Sequence, residues 1–210
     1  RSLVLSLEPG PSAFVGSNGQ GKTNLVEAIV YLATLSSHRI GADTALVRRA
    51  APGQAQPAGA VVRARAVHGE RPSVLEIEII AGKANRARLN RSPVPRPREV
   101  LGTLRTVLFA PEDLALVKGD PAGRRAFLDA LLVARQPRWA GVQADYAQAL
   151  KQRNALLRDV RASRSVPSSS TVAMLEAWDE HLAMGGASLL YARLRLVQDL
   201  RRFVEKAYRQ

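Results

Sequence analysis

The hydrophobic pattern divides the chain into two stretches of different periodicity. Near the start, Leu3, Leu5 and Leu7 alternate with Val4 and Ser6, the two-residue period of a half-buried strand. The turn Glu8-Pro9-Gly10-Pro11 separates it from a short apolar run, Ser12 to Val15, which reads as a second strand. A glycine-rich loop follows. From about Lys22 to Leu35 the period lengthens: Leu25, Ala28, Ile29, Leu32 and Leu35 recur at three and four residues, predicting a helix with one buried face. Residues 36–60 read as irregular, and Ala50 to Gly59 has the Pro and Gly content of a surface loop. Val61–Val67 and Ser73–Ile80 alternate as paired strands joined through His68-Gly69-Glu70-Arg71. A second pair spans Lys83 to Val94, and Thr106–Ala110 predicts a short strand running into Pro111.

After Asp120-Pro121 the pattern becomes helical. Asp suits the N-cap and Pro the first helical turn. The remainder, rich in Ala, Leu, Arg and Gln, favours helix except at Ser163–Ser170, where Ser-Val-Pro-Ser-Ser-Ser breaks it. Two long helices, roughly 138–162 and 172–209, are expected to run antiparallel through that break. The expected division is a mixed domain over 1–117 and a helical one over 118–210. The chain opens on Arg1 rather than Met, inside a strand pattern, which reads as a fragment or a trimmed terminus.

The 210 residues are 46% hydrophobic and 23% charged, a globular composition. Lys plus Arg number 31 against 18 Asp plus Glu, a formal charge of +13 that attracts polyanions. No cysteine is present, which excludes disulfides and thiolate metal sites. No apolar run approaches the roughly 18 residues of a membrane span, and no signal-peptide pattern is visible, so a cytoplasmic protein is expected.

The strongest chemical signal is Gly16-Ser17-Asn18-Gly19-Gln20-Gly21-Lys22-Thr23, a G-x-x-x-x-G-K-[ST] phosphate loop between an apolar run and an amphipathic helix. Glycines let successive backbone N–H groups turn inward on phosphate oxygens, and the helix dipole aims at the same point. Lys22 reaches the β- and γ-phosphates, and the Thr23 hydroxyl serves Mg²⁺. ATP and Mg are therefore the expected cofactors. Hydrolysis needs an acidic residue at the end of a further buried strand. The nearest candidate, Thr106 to Asp113, is interrupted by Pro111, so the chain carries half of an ATPase and no catalytic residue of its own.

The run GSNGQGKTNLVEA, with Asn18, Gly19, Gly21, Lys22, Thr23, Asn24, Glu27 and Ala28, resembles the ABC-type phosphate loop of the RecF and SMC group. The segments LATLSSHR (32–39), FAPEDLALVKG (109–119), Asn90 to Val94, and Asp120-Pro121 followed by Arg124, Arg125, Phe127, Leu128 and Asp129 are similar to the RecF family in its actinobacterial form. The resemblance implies an α/β fold: an ABC-type P-loop head (lobe I) with an antiparallel helical arm (lobe II), incomplete as a head and matching only the N-terminal part of the family. It implies nucleotide contacts from Gly16, Asn18, Gly19, Gln20, Gly21, Lys22, Thr23, Asn24 and Arg39, with Arg1 a weaker candidate. It also implies an ATP-dependent homodimer of weak ATPase activity, with the signature motif and the second acidic strand falling after Gln210. Partners implied are double-stranded DNA, gapped single-/double-strand junctions, RecO and RecR, with RecA loading as the outcome. A metal-contacting Gln of related heads is missing near Pro111-Glu112, where Glu112 or Asp113 either substitutes or caps the next turn.

Lys83, Arg86, Arg88, Arg91, Arg96, Arg98 and Arg105 cluster against the single acid Glu99, a stretch suited to DNA phosphates; Lys83, Arg86, Arg88 and Arg91 are the principal candidates. Arg153, Arg158, Arg161 and Arg164 form a second set. Aromatics are 5%, too few for single-strand recognition by stacked bases. His38, His68 and His181 have no metal-ligand spacing, Trp139 and Trp178 suit helix packing, and Gly185-Gly186 marks a kink or a close helix contact. The alternative reading is the head of an SMC-like chromosome or repair machine, whose mark would be a long heptad coiled coil between the two helices.

Overall fold

The structure is a computed structural model. It describes residues 2–37, 39, 43–48, 50, 53, 55–163 and 166–209, the side chain of Glu112 excepted. Arg1, His38, Arg164 and part of the 50–59 loop therefore lie outside the described residues.

Two of the strands expected near the start do not form. Residues 2–17 are exposed and carry no strand, with Val4 92% and Val15 93% accessible. Thr106–Ala110 is likewise irregular, and Phe109 is 85% exposed. Alternation only prepares a face for burial. A strand exists once a neighbour takes its backbone hydrogen bonds, and none of the described residues supplies that neighbour.

The strands predicted in the middle do pair. Helix α1 (Lys22–Thr34) precedes a four-stranded antiparallel meander of β1 (Gly59–His68), β2 (Arg71–Ile80), β3 (Arg86–Leu89) and β4 (Ser92–Pro93), in that spatial order. Register runs from Gly59 opposite Ile80 to His68 opposite Arg71, and from Leu75 opposite Leu89 to Glu78 opposite Arg86. Two-residue periodicity puts Leu75, Ile77, Ile79 and Ala87 on one face. That face packs against α1 through Tyr31 and Leu32, with Val47 and Val100 closing the core. The sequence pattern marked Leu32 for burial but missed Tyr31 and Glu27, which the helix also turns inward.

Four more helices follow: α2 (Ala115–Lys118), α3 (Pro121–Arg135), α4 (Trp139–Ser163) and α5 (Ser169–Tyr208). Asp120 caps α3, its side chain accepting from the N–H groups of Ala122 and Gly123 with Pro121 next in line. Ser168 caps α5 by accepting from Thr171 N–H at 3.2 Å. A second core joins Leu132 of α3 to Ala192 and Leu196 of α5, with Trp139 packed beside it. Arg193 of α5 clamps Asp129 of α3 through two bonds of 2.7 Å. The Tyr146 ring of α4 lies against Gly185 and Gly186 of α5, so the paired glycines serve close helix contact. Among the described residues no helix is long and apolar enough to cross a membrane, and no group of three or more His, Cys, Asp or Glu could hold a metal.

Candidate nucleotide site and basic face

The loop before α1 turns on glycine. Gly19 has φ 81° and Gly21, the N-cap residue, φ 96°, left-handed conformations that an L side chain adopts only with strain. A Cβ at either position would meet nothing within 4 Å, so the bend faces open space rather than the protein's own atoms. No side chain caps the first turn of α1 and no acid occupies it. The first-turn N–H groups therefore remain as donors for an anion arriving at the loop.

Lys22 is half-buried and folds back over the bend. Its Nζ donates to the Gly16 carbonyl at 2.7 Å and to the Ser17 carbonyl at 2.8 Å. Thr23 and Asn24 follow in the first turn and are exposed, and no bond joins the Thr23 hydroxyl to another of the described residues. Open glycines, an ammonium within the bend, a spare hydroxyl and uncapped helix donors together fit a triphosphate with its metal. Gly16, Asn18, Gly19 and Gln20 complete the bend, all exposed.

One turn along α1 from Thr23 stands Glu27, only 5% exposed. The Ser37 hydroxyl donates to one of its oxygens, and Arg39 Nη1 lies 3.7 Å from the other. Arg39 is thus tethered to the helix that begins at the phosphate loop, while its side chain stays 43% exposed. A cavity of about 130 Å³ opens beside Asn24, Glu27 and Tyr31, between α1 and the residues Ala60, Val62 and Ile79 of the sheet.

A polar knot fixes α1 on that sheet. Asn85 Nδ2 donates to the Tyr31 hydroxyl at 2.9 Å and to Asp43 Oδ2 at 2.6 Å, while its Oδ1 accepts from Ile80 N–H at 3.3 Å. Burial pushes the Tyr31 phenol well above its usual range, and the hydrogen bond and charge of Asp43 push it further.

Of the residues near Pro111, Asp113 acts locally. Its Oδ2 accepts from Ala110 N–H at 2.7 Å and closes the turn before α2. The side chain of Glu112 lies outside the described residues.

The linear basic cluster does not survive folding as one group. Lys83 stays exposed in the β2–β3 turn and Arg86 begins β3 opposite Glu78. Arg98 turns toward Gly141 of α4. Arg88 and Arg91 instead join Arg63 and Arg65 of β1 around Glu76, on the sheet face opposite the core. Antiparallel register makes this row: Arg63 stands opposite Glu76, and Glu76 opposite Arg88. Reading along the chain missed Arg63 and Arg65; their alternation with Val62, Ala64 and Ala66 was the available signal. On the arm, Arg153 is occupied by Asp179, and Arg158 and Arg161 are exposed.

No protein-family model matches the sequence. A Frankia alni protein named DNA replication and repair protein RecF is 61% identical over 207 residues, covering 99% of this chain and 53% of its own length. This chain is a RecF homologue. The RecF protein of Streptomyces avermitilis is 55% identical over 209 residues, covering 99% of this chain and 54% of its own. The chain spans about half the length of the curated RecF relatives it matches. Among solved structures, the recombination mediator protein RecF-ATPrS in the RecFOR pathway superposes with a TM-score of 0.74 at 27% identity, covering 89% of this chain and 48% of that one. RecF-ATP gives 0.73 at 26%, covering 88% and 47%. The fold is that of the RecF neighbours, an α/β head with a helical arm.

Proposed function

We propose that the chain is the phosphate-loop-bearing part of an ATP-dependent DNA-binding protein of the RecF type, acting in recombinational repair of gapped DNA and in replication restart. The reading rests on one observation: a left-handed glycine bend with Lys22 inside it and an uncapped helix behind it. The neighbour named RecF-ATP supports it.

In this reading Lys22 exchanges its two carbonyl bonds for phosphate oxygens. The N–H groups of the bend and of the first helical turn fix the β- and γ-phosphates. Gly16, Asn18, Gly19, Gln20, Gly21 and Asn24 shape the bend, and Arg39, steadied by Glu27, adds positive charge near its mouth. Mg²⁺, held in part by Thr23, would neutralise developing phosphate charge. Residues 1–117 act as lobe I and 118–210 as the helical arm. The rest of the length seen in RecF relatives supplies the strands that pair with residues 2–17 and 106–110, the acidic strand and the signature motif. ATP then closes two copies, raising affinity for double-stranded DNA and for gapped junctions, and turnover, slow in the full-length dimer, releases them. RecO and RecR are the partners and RecA loading the outcome, in the cytoplasm. Lys83, Arg86, Arg88 and Arg91 are among the DNA contacts carried by this chain.

Lys22→Ala tests the site. Losing one charge-assisted contact lowers affinity for ATP with Mg²⁺ by about ten-fold or more in equilibrium dialysis. Unchanged affinity refutes the assignment.

A further inference from the structure

The outward face of the sheet carries a feature that the phosphate loop does not explain. Arg63, Arg65, Arg88 and Arg91 line an open concavity of about 400 Å³ with Val74 and Glu76. Glu76 is buried on this solvent-side face, where Val74, Glu78 and Ile80 are half-buried, because two guanidiniums fold over it. Its Oε1 accepts from Arg88 Nη1 at 2.7 Å, and its Oε2 from Arg63 Nε at 2.6 Å. The carboxylate therefore satisfies one edge of each arginine and orients it, leaving the remaining N–H donors turned to solvent. Arg65 and Arg91 have no acidic partner among the described residues. Four cations around one anion leave a local excess of three positive charges.

Arg91 carries the strongest indication. It is the second central residue of the two-residue β3–β4 turn, with φ 72° after Asn90 at φ 50°. Such turns favour Asn followed by Gly, because both residues need positive φ. An arginine in the glycine position strains the backbone, and nothing among the described residues repays it: the side chain is exposed and has no partner among them.

We propose that this face is a phosphodiester platform whose ligand is the backbone of duplex DNA, gripped by Arg63, Arg65, Arg88 and Arg91 with Glu76 as the positioning residue. The proposal deepens the DNA-binding reading above and rests on it. Strand spacing puts β1 and β3 about 10 Å apart, comparable to the width of a DNA groove, so arginines on the two strands reach phosphates on either side of one. No aromatic ring lines the concavity, which leaves nothing for unstacked bases to rest on. Guanidinium forks match phosphate oxygens in pairs.

The test is binding of the chain to a blunt duplex oligonucleotide, followed by fluorescence anisotropy across a salt series, for wild type, Arg65→Ala, Arg91→Gly and Lys206→Ala. Each platform variant is expected to flatten the slope of log affinity against log salt by about one unit, the signature of one lost phosphate contact. Lys206→Ala, a cation in the last turn of α5, leaves the slope unchanged. Arg91→Gly also keeps or raises the melting temperature, since glycine relieves the turn. A binding defect paired with equal or better folding separates a ligand contact from a structural role. Wild-type duplex binding with unaltered slopes in both platform variants overturns the platform and leaves the DNA reading standing. An equal drop for Lys206→Ala, or tighter binding to the matching single strand, also overturns the platform. No salt-dependent duplex binding by the chain overturns the platform, whose four arginines it carries, and leaves the ATP-dependent reading to the Lys22→Ala test.

Discussion

Asn85 to Ala is the perturbation that best tests how the phosphate-loop helix is held. Asn85 is half-buried and makes three bonds: to the Tyr31 hydroxyl, to Asp43 and from Ile80 N–H. Asp43 is exposed and regains water when Asn85 is removed, so its share is small. Tyr31 is 1% exposed, so its oxygen loses an acceptor bond that water cannot replace. The phenol keeps its bond to Asp43, so the lost contact costs about 1–1.5 kcal/mol, and the long Ile80 bond adds about 0.5 kcal/mol. The expected loss is about 1.5–2 kcal/mol. Tyr31→Phe removes the hydroxyl itself and leaves the partly accessible amide to find water, costing about 1 kcal/mol. Urea unfolding followed by circular dichroism reads both, and with a slope of about 1–3 kcal/mol per molar the alanine variant shifts the midpoint by about 1 M.

The same phenol gives a pH signature. Its folded pKa lies above the ordinary phenol value of 10.0, so the folded state holds a proton that the unfolded state releases. That contribution is complete below pH 10 and falls away as pH rises through the alkaline range. Tyr31→Phe removes this alkaline slope. The reasoning fails if Asn85→Ala costs under about 0.5 kcal/mol, or if the phenylalanine variant is the more damaging of the two.

Further outcomes follow from other contacts. Arg63, followed by Arg88, holds the Glu76 carboxyl below its ordinary value of 4.5 against the opposing effect of burial. Its stabilisation is present above that value and is lost as pH falls through the depressed folded pKa. The stability gap between wild type and Glu76→Gln should therefore be widest at neutral pH and close in acid, read as urea midpoints; a gap independent of pH contradicts it. Leu196, 1% exposed between α3 and α5, should cost about 3 kcal/mol as alanine. Leu194, 57% exposed on the same helix, should cost within about 0.5 kcal/mol, and equal losses would contradict the packing.

Where local chemistry decided the outcome, the sequence was enough to read it. Asp120-Pro121 started α3 and alternation placed β1 and β2 in a hairpin, whereas the serine-rich break was read without Ser168 as the cap that starts α5 ahead of the expected 172. The glycine bend before α1 was equally plain, because its conformation depends on consecutive residues. What failed depended on partners distant in sequence. Leu3 to Leu7 and Thr106 to Ala110 have strand alternation without a neighbouring strand among the described residues. Tyr31 and Glu27 were missed because a phenol and a carboxylate are buried only where a polar partner meets them, and those partners, Asn85 and Ser37, lie outside the helix. The arginine platform was half visible: Arg88 and Arg91 lie in the basic run, but only cross-strand register adds Arg63 and Arg65.

The uncovered stretch from Leu3 to Val15 has a practical corollary. It offers amide edges and greasy side chains to any neighbour able to align with it, including another molecule of the same kind. Concentrated samples of residues 1–210 alone should thus cluster through that ribbon, and a short peptide able to zip alongside it should restore dispersal.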